Sequence, residues 1–243
     1  MRVGSITTDI VSDGLVLNMD AANRASYIPD NLSTINTRDT SFSGSLNGGV
    51  TLIEPPISSS CWALDGVDDY IFNKGIPAFN VSAGGSNKAT VDIWMKRDYS
   101  HVSGNSKMVC AWRYYAIYND NGRMGFNTGN GDVYGLSKEE VTALNINNIW
   151  TNWTFFWNLD VSYTNNKIYV NGELQSISQV ASSEAGGNRS FNDGNFSLGC
   201  WNAAYTPGIF ATMEVQSIRM YNRELSAAEV LQNYNALKGR FGL

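Results

Sequence analysis

Three carboxylates crowd one short stretch of the chain, Asp65, Asp68 and Asp69, with Gly66 between them. Closely spaced carboxylates beside turn carbonyls supply the hard oxygen ligands that calcium prefers, so these three are the metal candidates. The spacing of an EF-hand loop is absent. Asp and Gly also do plainer work at such positions, turning the chain and capping loop backbone groups. A second set is aromatic: Trp112, Tyr114, Tyr115, Trp201 and Tyr205 fall near the ends of expected strands. An exposed ring there can stack on a sugar face, which makes these five the carbohydrate-binding candidates.

Hydrolytic chemistry finds less support. Cleaving a glycosidic bond takes two carboxylates facing each other across about 5–10 Å, which on one strand means acids at i and i+2 or i+4. Asp92 stands alone on its expected strand, and Asp160 falls in a loop. The single histidine, His101, lies in a polar loop, which excludes a multi-histidine metal site and leaves a hydrolase triad without an identifiable partner. Cys61, Cys110 and Cys200 include no Cys-x-x-Cys pair for zinc. Each adjoins an aromatic strand, and the three read as buried thiols rather than a disulfide framework. No catalytic residue is assigned. The chain reads as a non-enzyme that requires no cofactor, with calcium the one candidate ion.

Strands must hold these groups. The centre of the chain, 150–174, alternates Trp153, Phe155 and Trp157 with Thr154, Phe156 and Asn158, the period of a pleated strand. A second strand, 167–170, follows, and Asn171-Gly172 closes a hairpin because both residues tolerate positive φ. Further strands are expected within 10–20, entered through Asp13-Gly14, and at 50–53, 61–65, 68–72, 90–96, 108–112, 114–118, 123–126, 196–201 and 209–221. In the last of these, Val215, Ser217 and Arg219 alternate against Gln216, Ile218 and Met220. Segments 21–49 and 176–193 read as long loops. Ser137 and Glu140 have capping-box spacing for one helical turn. The one long helix is expected over 227–238, capped by Ser226 and Glu229, with an apolar stripe of Val230, Leu231, Tyr234 and Leu237 and a stop at Gly239.

Of the 243 residues, 43% are hydrophobic and only 16% charged, which indicates a folded globular chain. Its 23 glycines and its many Asn, Ser and Thr suit short strands joined by tight turns. A formal net charge of −5 argues against nucleic acid and anionic membrane as partners. No apolar run approaches the length of a membrane-spanning helix, and the first residues carry no apolar secretory core. With no linker, composition break or repeat, 1–243 reads as one domain, with 1–9 an N-terminal arm and 226–243 a C-terminal helix and tail.

Four motifs occur in order: Gly14-Leu15-Val16-Leu17-Asn18-Met19-Asp20-Ala21, Leu64-Asp65-Gly66-Val67-Asp68-Asp69-Tyr70-Ile71, Ile168-Tyr169-Val170-Asn171-Gly172 and Ile218-Arg219-Met220-Tyr221-Asn222-Arg223-Glu224-Leu225-Ser226. Together they resemble a concanavalin A-like, laminin-G-like jelly roll. The resemblance implies an all-β, two-sheet antiparallel sandwich with a short C-terminal helix, a concave face that relatives use for glycans, and calcium at the rim in many lectins. The run from Glu229 to Leu243 is similar to chain ends of such domains in tailed-bacteriophage virion proteins. That second resemblance implies a structural virion protein, a capsid decoration or a tail-associated component, assembled in the host cytoplasm beside capsid or tail subunits or further copies of itself. The alternative is a lectin or adhesin for host surface carbohydrate, assisted by calcium. Two departures matter. Relatives often carry Gly-x-Ile-Asp-Glu where this chain has Met213-Glu214-Val215-Gln216-Ser217, so no role of that acidic pair carries over. The Glu-x-Asp-x-x-Glu strand of catalytic relatives is absent.

Overall fold

The computed structural model describes residues 9–54, 59–100, 107–112, 115–127, 131–183, 191, 194–201 and 206–243. Residues 1–8 of the expected arm, and His101, lie outside the described residues. In chain order the strands begin with β1 (Leu15–Asp20), β2 (Ser33–Thr34), β3 (Gly44–Asn47), β4 (Thr51–Ile53), β5 (Cys61–Asp65) and β6 (Tyr70–Asn73). Then come β7 (Lys88–Lys96), β8 (Lys107–Trp112), β9 (Tyr115–Asp120), β10 (Arg123–Asn127), β11 (Val133–Leu136) and β12 (Thr151–Asn158). The last are β13 (Lys167–Val170), β14 (Glu173–Leu174), β15 (Ser178–Ala181), β16 (Phe196–Leu198) and β17 (Thr212–Tyr221). They form two antiparallel sheets. One runs β14-β13-β12-β7-β17-β5-β4, with β1 also paired to β17; the other runs β15-β11-β10-β9-β8-β16-β6-β3-β2.

Alternation builds the core. Trp153, Phe155 and Trp157 of β12 point inward beside Val91, Ile93 and Met95 of β7 and Ile218 and Met220 of β17. Across the gap the second sheet supplies Ile71, Val109, Trp112, Ile117, Met124, Phe126 and Leu198. Trp112 meets Trp157 edge-on, with ring centroids 4.9 Å apart, a favoured geometry for aromatic pairs. The hairpin signals hold: Asn121 and Gly122 have φ of 49° and 84°, and Asn171 and Gly172 have 51° and 84°. All three cysteines are free and buried, as expected.

The strand β17 organises the first sheet. Its early residues pair with β5 and its later ones with β1 along the same edge, while β7 runs the length of the other edge. The handover falls at a bulge between Val215 and Ser217, where the extra residue is Gln216. The bulge corrects the expected alternation, because Val215 turns inward with Ile218 and Met220 while Ser217, Arg219 and Tyr221 face outward. Segment 21–49 is also no simple loop, since β2 and β3 extend the second sheet from it. Segment 176–193 likewise contains β15, and β11 adds a further strand; each is only four residues long, too short to leave a periodic signal.

Two helices carry the expected caps. Helix α1 (Lys138–Ala143) starts at the Ser137–Glu140 capping box, and helix α2 (Ala227–Leu237) at the Ser226–Glu229 box. Helix α2 does not stop at Gly239. It tightens into a 3-10 turn, Lys238–Phe241, that ends at Gly242 with φ 73°. Its buried face is Val230, Asn233 and Leu237, whereas Leu231 is 46% exposed. Asn233 is buried because it accepts the Val11 N–H at 2.9 Å and donates to the Tyr221 hydroxyl at 3.0 Å.

Arg223 ties the end of β17 to α2. Its guanidinium grips Glu229 with two bonds of 3.1 and 2.7 Å and reaches the Asp13 carboxylate at 2.8 Å. Gly14, with φ +72°, makes room: a Cβ there would lie 2.9 Å from Arg223 Cγ. The Arg223 bonds, more than those from Ser226, hold the Glu229 carboxyl down at about 2. A carboxylate depressed in the folded state stabilises above its ordinary value of 4.5 and loses that contribution as pH falls toward about 2. Glu229→Gln is therefore expected to lose about 2 kcal/mol at pH 7, with the deficit shrinking between pH 4.5 and 2, as read from thermal melts against pH.

Candidate functional site

Part of the outward face of the first sheet is buried as well, and there it is polar. Side by side across four strands lie Asn18 of β1, Arg219 of β17, Asp92 of β7 and Thr154 of β12. The adjoining row is Asp20, Ser217, Trp94 and Asn152. Ordinarily the outer face of a sandwich meets water. Here Arg219 is 2% exposed and Asp92 is 0% exposed, because the C-terminal turn lies over them. Rings anchor that turn and the helix before it: Phe241 stacks on Trp94 with centroids 4.2 Å apart, Tyr234 of α2 stacks on the same indole at 5.7 Å, and Trp150 tilts against Phe241 at 5.0 Å.

Within this layer Asp92 accepts from the Asn152 amide and, at 3.4 Å, from the Thr154 hydroxyl. Burial pushes its carboxyl above the ordinary range, opposed by the Arg219 charge and those hydrogen bonds. Asp20 holds the other side. Its Oδ1 accepts from Gln216 Nε2 at 2.6 Å and from the Ala22 N–H at 3.0 Å, and its Oδ2 accepts from Arg240 Nη1 at 2.7 Å. The bulged Gln216 is thus fixed by the carboxylate at the end of β1.

Arg219 is left between them. Its Nη1 is 3.5 Å from Asp92 Oδ2 and its Nη2 is 4.0 Å from Asp20 Oδ2, both long for charge-assisted hydrogen bonds. Its Nε and Nη1 are sealed from solvent without a hydrogen-bond partner. Arg219, Asp20 and Arg240 line a cleft of about 730 Å³ between the sheet and the C-terminal turn, together with Asn18, Asn23 and Asn235. Its volume falls in the range of small-ligand sites. Asp92 is unreachable by a substrate, and Asp20 is engaged on both oxygens, so the two carboxylates flanking Arg219 do not make a glycosidase pair.

The residues singled out from sequence fare differently. Asp65, Asp68 and Asp69 do come together at the turn between β5 and β6, with one carboxylate oxygen from each within 4.8 Å of the others. Asp69 Oδ2 accepts the Asp65 N–H at 3.0 Å and Asp65 Oδ1 accepts the Val67 N–H at 2.7 Å, which is the turn-capping role. Burial, then the Asp65 and Asp68 charges, raise the Asp69 carboxyl. Among the aromatics, Trp112 is a correction. At 0% exposure it is wedged between the sheets against Phe79, Trp157 and Phe196 and offers no face to a sugar. Tyr115, at 9%, also points into the core. Trp201 is half-buried, bridged to Gly208 and packed beside Met108. Tyr114 and Tyr205 lie outside the described residues. The cleft residues were present in two of the motifs but drew no chemical reading, because an outward-facing arginine on a strand ordinarily signals solvent.

The two antiparallel sheets, closed by one C-terminal helix, define a jelly-roll sandwich of the lectin type. A family model described as the concanavalin A-like lectin/glucanases superfamily matches residues 65–231, and the chain belongs to that family. No curated protein matches it in sequence. In fold it is similar to the binding domain of botulinum neurotoxin DC in complex with rat synaptotagmin II, at 12% identity and TM-score 0.61, over 92% of this chain and 52% of that one. It is similar also to the receptor binding domain of the botulinum neurotoxin C/D mosaic serotype, at 14% identity and TM-score 0.58, over 91% and 51%. A third is the serotype D ligand binding domain in complex with N-acetylneuraminic acid, at 13% identity and TM-score 0.55, over 91% and 50%. The chain spans about half the length of these structures.

Removing Arg219 alone strands Asp92 as an uncompensated buried charge. Arg219→Leu is expected to cost about 3–5 kcal/mol in urea unfolding at pH 7, and Arg219→Leu/Asp92→Asn to recover a large part of that loss. Because burial already favours the protonated Asp92, the single-variant deficit is expected to shrink as pH falls.

Proposed function

We propose that this chain is a non-catalytic, lectin-like recognition module that binds surface carbohydrate in the cleft between β1, β17 and the C-terminal turn. The observation that carries this reading is the cleft lining: Asn23, Asn235, Asp20 and Arg240 present planar amide, carboxylate and guanidinium groups to one open cleft. Such groups supply fixed donors and acceptors at the spacing of sugar hydroxyls. The family supports it, as do fold neighbours that include a receptor binding domain and a ligand binding domain in complex with N-acetylneuraminic acid. Calcium enters as an accessory at Asp65, Asp68 and Asp69, whose crowded charges a divalent cation would neutralise. The test is a broad glycan panel run with calcium and with chelator. Saturable binding that Asn23→Ala or Asn235→Ala weakens is the expected result, and a flat response in both conditions sinks the reading. A chelator-sensitive melting temperature in the wild type, lost in Asp68→Asn, is the expected sign of the ion.

A second reading concerns where the module works. The C-terminal run, similar to chain ends in tailed-bacteriophage virion proteins, favours a structural virion component, at the capsid or the tail, in which the jelly roll serves assembly and surface attachment together. Its partners are then capsid or tail subunits, and host surface glycan is the external ligand. Quantitative mass spectrometry of purified particles decides it. Hundreds of copies are expected of a capsid decoration and a few to a few tens of a tail component, whereas none removes the virion reading.

A further inference from the structure

We infer that the cleft selects a carboxylate-bearing saccharide, with Arg219 as the fixed half of a carboxylate clamp and Arg240 as its adjustable half. This rests on the carbohydrate reading and names the class of sugar. A buried guanidinium is ordinarily satisfied by short bonds to carboxylates, because its five N–H donors lose water on folding. Arg219 is not satisfied: the nearest carboxylate oxygens stand 3.5 and 4.0 Å away, and its Nε and Nη1 have no hydrogen-bond partner. Arg219 lines the wall of the cleft, and because its Nε and Nη1 are sealed from solvent, an incoming carboxylate meets it through Nη2, the nitrogen that faces Asp20 across 4.0 Å.

The surrounding charges agree. Arg240 and Lys238 line the same cleft with Arg219, so three cations stand there against the side chains of Asp9 and Asp20. Lys238 lies over the Tyr234 ring, 5.4 Å from its centroid, and no described carboxylate forms an ion pair with it. Arg240 is bound to one oxygen of Asp20 through a single nitrogen, and its side chain is 37% exposed, so it can turn toward a ligand without leaving the cleft wall. Asp20 is the internal competitor. It occupies Arg240 and faces Arg219 without reaching it, as a carboxylate that a ligand's own carboxylate must sit beside. Asn23 and Asn235 remain for the hydroxyls of the ring. A neutral sugar would use only the amides and leave Arg219 as it is.

The test uses the whole chain and a panel of uronate- and sialate-bearing oligosaccharides, each beside its carboxyl-reduced form. The acids are expected to bind at least about tenfold more tightly than their reduced partners. Arg240→Gln is expected to weaken the acids by about tenfold and to leave the reduced forms nearly unchanged. Asp20→Asn, which removes the competing charge, is expected to strengthen acid binding; thermal melts establish that each variant folds, and Arg240→Gln carries the test alone if Asp20→Asn does not. Equal binding of acids and reduced forms, or an Arg240→Gln loss shared by both, overturns the carboxylate assignment while leaving the carbohydrate reading standing. No binding to any member of the panel removes both.

Discussion

An arginine held out of water in the middle of a sheet face constrains everything placed above and below it. Arg219 and Asp92 sit in adjacent positions of neighbouring strands, so the register of β17 on β7 is fixed by a charge pair that a slip of one residue would separate. Such a slip would also bring Ile218 and Met220 to the polar side and turn Arg219 into the apolar core. Register and burial therefore reinforce one another. The cost of desolvating both charges is offset by the amide of Asn152, the hydroxyl of Thr154 and the closure of the C-terminal turn.

The two faces of the first sheet divide the labour. Inward, large rings and branched side chains interlock with the second sheet and supply most of the buried apolar surface. Outward, a polar layer is sealed by Trp94, Tyr234 and Phe241 and ends at a cleft. The bulge at Gln216 joins the two regimes, since it reverses the facing of β17 and donates to Asp20 at the cleft edge. A cleft built in this way stands on strands along one wall and on a short turn along the other.

Much of the fold was legible because it depends on local, periodic signals. Alternating rings announced β12, Asn-Gly pairs announced two hairpins, and Ser226 with Glu229 announced the start of α2. Two of the four ordered motifs became hydrogen-bonded neighbours, β1 on β17. What failed was non-local. Trp112 looked available for stacking because its position near a strand end says nothing of the sheet that lies across it. Leu231 looked buried because helical periodicity cannot reveal that Asn233, with partners on Val11 and Tyr221, takes the inward place. The cleft was hidden for the same reason: Asp20, Arg219 and Arg240 are far apart in the chain, and only the docking of the last turn brings them together.

The turn that walls the cleft is attached by two kinds of contact with opposite responses to conditions. The stacking of Phe241 and Tyr234 on Trp94 is largely apolar, so it strengthens when salting-out ions are added and weakens on cooling. The Arg240 bond to Asp20 is a partly exposed ion pair, so added salt screens it. A salting-out ion at high concentration therefore strengthens one attachment of the turn while it screens the other, so the two contacts that hold the cleft wall answer the surrounding medium in opposite senses.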